Sequence, residues 1–204
     1  MSAIRVQLGA SIGQLEWTVN AYALSFALLI PTAAALGDRL GRRTVFATGL
    51  GLFAAASAGC ALAPDVSWLI AGRAVQGAGA GLVMPLALAL LGAAFPPARR
   101  GWAMGIFSSV TGLAVLCGPL VGGAVVEGVS WPWIFWLNVP VALLLVPAAL
   151  ARIDESRGPD SSLDLPGLAL VTAGAFGSVW GLVRANGAGW VVSRCCRRWR
   201  WGRC

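Results

Sequence analysis

Gly37-Asp38-Arg39-Leu40-Gly41-Arg42-Arg43 is a short charged connection in a chain that carries little charge elsewhere. On either side lie apolar runs long enough to cross a bilayer as helices, Trp17–Leu36 and Thr44–Ala63. One acid and three arginines between two spans resist translocation, so they orient everything around them. Gly41 allows a tight reversal, and Asp38 can hold the neighbouring arginines or cap the helix that follows.

Outward from this loop the pattern repeats. Further runs of spanning length are Leu69–Phe95, Trp102–Val126, Ile134–Ala151 and Leu165–Val183, each rich in Ala, Leu, Gly and Val. None shows the period-two alternation of a barrel strand. The expected fold is therefore all-α, a polytopic membrane helix bundle of about six transmembrane helices. Successive connections alternate between Arg-bearing and Arg-free. Arg99 and Arg100 lie in the third and Arg152 and Arg157 in the fifth, which predicts that these and the first face the cytoplasm. Trp68, Trp131 and Trp133 then fall at the outer interface, where amphipathic rings anchor.

The expected organisation follows. Residues 1–16 form an extracytoplasmic leader that has no basic n-region and so is not a signal peptide. Residues 17–151 supply five transmembrane helices, 152–164 a cytoplasmic linker and 165–183 a further transmembrane helix. An additional span upstream would insert this topology more readily. Residues 184–204 are rich in Arg, Cys and Trp, and this composition favours a shifted reading frame over a basic membrane-surface segment.

Composition narrows function. Hydrophobic residues make up 58% and charged residues 11%, with a mean hydropathy of +0.78, which is far from a soluble domain. Every basic side chain is Arg and His is absent, so neither a His-ligated metal site nor a Ser–His or Cys–His pair can be drawn. No carboxylate pair is visible either, and an enzyme is not expected. The net charge of +7 owes five arginines to residues 191–204, leaving 7 − 5 = +2 for the remainder. That is a topology signal rather than a nucleic-acid face. Cys60 and Cys117 lie in apolar runs, where a buried small hydrophobe is the default.

Two further motifs stand on the spans. Leu69-Ile70-Ala71-Gly72-Arg73-Ala74-Val75-Gln76-Gly77-Ala78-Gly79-Ala80-Gly81 contains the one charge inside a predicted span. A buried Arg costs roughly 2.5–3.5 kcal/mol on insertion scales, so it faces a polar cavity or a partner, or else snorkels outward. Gln76 shares its helix face, and Gly77, Gly79 and Gly81 permit close helix packing. In the next span Gly112 is followed by Gly118-Pro119-Leu120-Val121-Gly122-Gly123, a kinking proline among packing glycines.

In this order the three motifs resemble those of the major facilitator superfamily, most closely the fourteen-helix multidrug:proton antiporter branch, in its N-terminal portion from the second helix onward. Trp131-Pro132-Trp133-Ile134-Phe135-Trp136-Leu137-Asn138-Val139-Pro140 is similar to the beginning of the family's sixth helix, with Pro132 where Arg is usual. The resemblance implies proton-coupled multidrug efflux by alternating access in the bacterial inner membrane, with no cofactor and the proton gradient as energy source. It makes Asp38, Arg39, Gly41, Arg42 and Arg43 a cytoplasmic gating loop, and gives Arg73 and Gln76 a place in the cavity or in proton coupling. Gly118, Pro119, Gly122 and Gly123 become an antiporter hinge. The implied partners are the lipid bilayer, a lipophilic or cationic small molecule and a remaining transporter half. The chain itself is expected to be a truncated, weakly active or inactive form. Alternatives are a non-transporting membrane fragment or accessory subunit, and a sugar or metabolite transporter. The bland counterparts of the three motifs are topogenic arginines, a snorkelling Arg73 and a generic kinked packing helix.

Overall fold

The computed structural model describes residues 7–158 together with 167, 170, 171, 173, 174, 176, 177 and 181. Among them there is no strand, and five helical segments are long and apolar enough to cross a membrane. The helices are α1 (Ile12–Leu40), α2 (Arg42–Ala61), α3 (Val66–Ala94), α4 (Pro97–Gly128), α5 (Trp133–Trp136) and α6 (Asn138–Arg152). The last two form one span, Trp133–Arg152. Most of the sixth expected span, 165–183, and the whole 184–204 tail lie outside the described residues.

Caps explain where the helices depart from the apolar runs. The leader was expected to reach residue 16, but α1 starts at Ile12. Ser11 Oγ accepts from the Gln14 amide at 3.3 Å while Gln14 Oε1 accepts from the Ser11 amide at 2.9 Å, a reciprocal capping box. Asp65 Oδ1 caps α3 through the Trp68 amide at 2.8 Å, which moves its start back to Val66. The final span is interrupted at Leu137 because Pro140 has no amide proton for the Trp136 carbonyl.

Helix α3 is the centre of the bundle, lying along both α1 and α2, while α6 rests on α2. Missing side chains allow this. A Cβ at Gly77 would run into Ser25 and the Tyr22 carbonyl of α1, and one at Gly81 would meet the Phe26 carbonyl at 2.7 Å. Gly79 faces the other way: a Cβ there would come within 2.7 Å of the Phe53 amide and 2.9 Å of the Gly49 carbonyl in α2. The small-residue motif thus serves two neighbours on two faces.

At the Trp-rich end Cys60, Ala61, Leu69, Trp131 and Phe135 form a buried cluster, with Leu8 packed against it. Trp68 and Trp133 are exposed as interfacial anchors should be, but Trp131 is only 4% exposed. Its indole N–H donates to Gln7 Oε1 at 2.6 Å, so it fastens the leader to the bundle instead of marking the interface.

Helix α4 stands apart. Ala103 is its only buried residue, and its main neighbours among the described residues are α3 and α5. Cys117, expected to be buried, is therefore exposed, whereas Cys60 is fully buried. Apart from the helix's own nearby backbone, no described atom lies within 4 Å of a Cβ at Gly112, Gly118, Gly122 or Gly123, so the close interhelical contact expected there is not made among the described residues.

This contrast predicts opposite outcomes for the same substitution. Gly79→Ala must push α2 and α3 apart and should destabilise the chain by about 1–3 kcal/mol. Gly118→Ala meets open space and should leave stability unchanged. Thermal melting of the purified protein in detergent separates the two, and equal losses would contradict the exposed position of α4.

Candidate functional site

Two polar constellations interrupt the apolar bundle. The first lies within the span at Arg73. Two turns into α3, its guanidinium reaches across to α1, where Nε donates to the Thr18 carbonyl at 3.1 Å. The ring of Tyr22 lies beneath it, 4.2 Å from the guanidinium carbon, and that of Phe135 lies 5.9 Å away. Arg73 Nη1 donates to Gln76 Oε1 at 2.5 Å, which places the two on one helix face as their spacing required. Gln76 is 1% exposed, and its Nε2 donates to Ser57 Oγ of α2 at 2.6 Å. Ser57 in turn donates to the Phe53 carbonyl at 2.8 Å. One chain of hydrogen bonds thus ties α1, α3 and α2 together at membrane depth, and Arg73 does not snorkel away from the bundle. Thr18, Tyr22 and Ser57 were absent from the sequence-based site. Their helices were visible, but not which faces would meet.

The second constellation is the charged loop. Gly41 has φ +108°, a left-handed conformation that suits glycine and turns α1 into α2 across a single residue. Asp38 holds Arg42: Oδ1 accepts from Nε at 2.8 Å and lies 2.7 Å from Nη2. Arg39, placed with them by sequence, is exposed on the last turn of α1. Asp38 was also a candidate cap for the next helix, and here a different residue takes that place. Gly41 has no side chain with which to cap α2, and Glu155 supplies one from the segment after α6. Its Oε1 accepts from the Arg43 amide at 2.9 Å, and its Oε2 from the Thr44 amide at 3.2 Å and the Thr44 hydroxyl at 2.6 Å. The Ser156 carbonyl accepts from the Arg42 amide at 2.9 Å. The free amides of the first turn are thereby all engaged.

Arg43 closes the return path. Nη1 donates to the Ile153 and Leu150 carbonyls at 3.1 and 3.3 Å, covering the open end of α6, and Nε lies 3.7 Å from Glu155 Oε2. Gly158 donates its amide to the Asp38 carbonyl at 3.2 Å. Residues 153–158 are thus laid along the loop as a strap. Glu155 had no motif to announce it; only an acid close behind an apolar run hinted at it.

The third constellation expected from sequence, Gly118-Pro119 with Gly122 and Gly123, is not brought to either site.

A sequence model of the Major Facilitator Superfamily matches residues 1–201. The chain is 38% identical over 190 residues to the "Tetracenomycin C resistance and export protein" of Streptomyces glaucescens, covering 92% of this chain and 35% of that protein. It is 36% identical over 192 residues to the "Methylenomycin A resistance protein" of Streptomyces coelicolor, covering 94% of this chain and 40% of the relative. The chain therefore spans a little over a third of the length of these relatives. Among solved structures it is similar to a peptide transporter POT bound to sulfate, with a TM-score of 0.65 and 22% identity over 92% of this chain and 40% of the other. That likeness concerns the fold.

The Glu155 cap generates a pH signature. Burial pushes its carboxyl up, but hydrogen bonds from the Thr44 hydroxyl and the amides of Arg43, Thr44 and Ser156 outweigh this and hold it below the usual carboxylate value. A depressed folded pKa adds stability that is complete above the unfolded carboxylate pKa and is lost as pH falls through the folded one. Glu155→Gln should lower the melting temperature at neutral pH, by an amount set by about 0.5–2 kcal/mol for a lost cap. The gap between the two proteins should close on acidification. A gap that stays constant from neutral to strongly acidic pH would mean that the carboxylate is not the cap.

Proposed function

This chain belongs to the Major Facilitator Superfamily, and on that footing we propose that it is part of a proton-coupled exporter of amphipathic small molecules working by alternating access. The observation that carries this reading is the cation at membrane depth. Arg73 is held across the α1–α3 interface by Thr18 and Tyr22 and on its own helix by Gln76, an arrangement that a purely topogenic or snorkelling arginine does not need. The names of the relatives, a resistance and export protein for tetracenomycin C and a resistance protein for methylenomycin A, support drug export over sugar uptake. The chemistry is movement of cargo, not making or breaking of covalent bonds.

In this reading the chain is a multi-pass protein of the bacterial inner membrane with its Arg-rich loops in the cytoplasm. The Asp38–Arg42 pair and the Glu155 strap gate the cytoplasmic side by joining the ends of α1, α2 and α6, and Arg39 reaches outward from that gate. Arg73 and Gln76 brace the cavity wall, with the proton gradient as the source of energy. Gly118-Pro119, with Gly122 and Gly123, is the flexible point of a helix that the other described residues leave uncovered. Alternating access is a rocking of two helical bundles about a midplane site. The five spans described here supply one side of that movement, so the chain by itself gives weak or no transport.

A chimera separates these statements. This chain, replacing the matched segment of the Streptomyces glaucescens exporter, should retain tetracenomycin C export in a drug-sensitive host, while this chain alone should give little. A chimera that inserts correctly but exports nothing would refute the transport reading. Full, protonophore-sensitive efflux by the chain alone would refute the need for a second bundle.

A further inference from the structure

Ser57 carries no motif, yet it is the most enclosed polar side chain among the described residues. It is 0% exposed, and Gln76, which it faces, is 1% exposed. Its seat is fixed from both sides along the α2–α3 contact. A Cβ at Gly72 would come within 2.7 Å of Cys60 Sγ, and one at Gly79 within 2.7 Å of the Phe53 amide. Cys60 follows Ser57 in α2 and Phe53 precedes it, so Ser57 sits between two tight crossings of the same pair of helices.

The direction of the hydrogen bonds is fixed as well. The Arg73 guanidinium can only donate, and the Phe53 carbonyl can only accept. Ser57 gives its single proton to that carbonyl at 2.8 Å, which leaves its oxygen as an acceptor. Gln76 then presents Nε2 to Ser57 at 2.6 Å and turns Oε1 toward Arg73 Nη1 at 2.5 Å. A carboxamide fits its seat either way round, and the committed proton of Ser57 selects one of the two. Because the run ends at a backbone carbonyl, it holds groups in place and offers no path for a proton.

We propose that Ser57 is a positioning residue: it sets the orientation of the Gln76 carboxamide and, through it, the place of the Arg73 guanidinium against Thr18 and Tyr22 of α1. This deepens the transport reading, in which Arg73 and Gln76 brace the cavity wall, by naming a residue on a third helix that controls them. Ser57 acts on Arg73 through Gln76, so its removal is felt at a side chain it does not bond.

The test reads Arg73 directly by nuclear magnetic resonance. In the full chain, with isotopically labelled arginine side chains and in phosphatidylcholine nanodiscs, the Arg73 Nε–H signal is identified by its loss in Arg73→Lys. Its exchange with solvent deuterium reports how firmly the guanidinium is held. Ser57→Ala should speed that exchange about tenfold, the factor one net hydrogen bond commands. Gln76→Ala should do the same, and the double variant should be no faster than Gln76→Ala alone. Thr48→Ala is the control and should leave Arg73 unchanged, because the Thr48 hydroxyl of the same helix returns to the Val45 carbonyl at 2.9 Å.

A merely structural role for Ser57 predicts a lower melting temperature with the Arg73 exchange rate unaltered, and that result overturns the proposal. So does a double variant in which the two effects multiply, or an equal speeding of the backbone amides of α1 and α3, which would mean general loosening. Should Ser57→Ala fail to fold, Ser57→Cys takes its place in every comparison, since it keeps the volume while offering only a weak sulfur acceptor. None of these readouts needs transport. A chimera that exports nothing, beside an Arg73 signal that depends on Ser57, removes the transport reading alone.

Discussion

The absence of side chains along α3 is the constraint on which the rest of the bundle depends. Two neighbouring helices can approach one helix closely on opposite faces only where neither face carries a Cβ at the crossing. Gly77 and Gly81 clear the way for α1, and Gly79 for α2. The reach of the polar groups is set by that approach. Arg73 touches the Thr18 carbonyl and Gln76 touches Ser57 because the backbones are already close, not because the side chains pull them together. In a bilayer there is little hydrophobic drive between helices, so close packing and internal hydrogen bonds must carry association. Here the two act at the same level of the same helix.

The polar chain also explains why an amide and a hydroxyl suffice beside a cation. Arg73 needs acceptors, and one of the two it uses continues into a longer run: Gln76 passes its amide N–H to Ser57, and Ser57 passes its hydroxyl to Phe53. No member of this chain is left with an unmet buried group. A carboxylate at position 76 would neutralise Arg73 and end the run of donors there. Glutamine instead spreads the hydrogen bonding over three helices.

Much of the architecture was legible in the sequence, because span length and loop charge are one-dimensional quantities. The five apolar runs, the reversal at Gly41 and the shared face of Arg73 and Gln76 follow from hydropathy, one glycine and a spacing of three residues. What could not be read were the relations between segments far apart in the chain. Trp131 counts as an interfacial tryptophan until Gln7 is seen to accept its indole proton. Glu155 is an unremarked acid until it meets the amides of Arg43 and Thr44, more than a hundred residues earlier. The α1 boundary was missed for a local reason, since Ser11 and Gln14 cap a helix that begins before its apolar stretch does. The Gly-Pro motif of α4 was found, but a linear pattern of glycines says only that close contact is permitted, not which surface provides it.

The distribution of fastenings divides the molecule into parts of unequal stability. At the Trp-rich end Gln7 and Trp131 join the leader to the turn before α5, beside the cluster of Cys60, Leu69 and Phe135. At the Arg-rich end Glu155, Ser156 and Gly158 join the segment after α6 to the α1–α2 reversal. The Arg-rich end therefore ties α1, α2 and α6, the middle ties α1, α2 and α3, and the Trp-rich end ties the leader, α2, α3 and α5. Helix α4 shares none of these ties. Its side-chain hydrogen bonds from Ser109 and Thr111 return to its own carbonyls four residues back, so they add nothing to its docking. Local stability follows buried contact, and by that measure α4 is the span whose position the described residues specify least. Pro119 removes a backbone hydrogen bond in that same helix. The weakest point of the helix thus lies on the least buried span among the described residues, and what surrounds α4 in the membrane must settle both its place and its curvature.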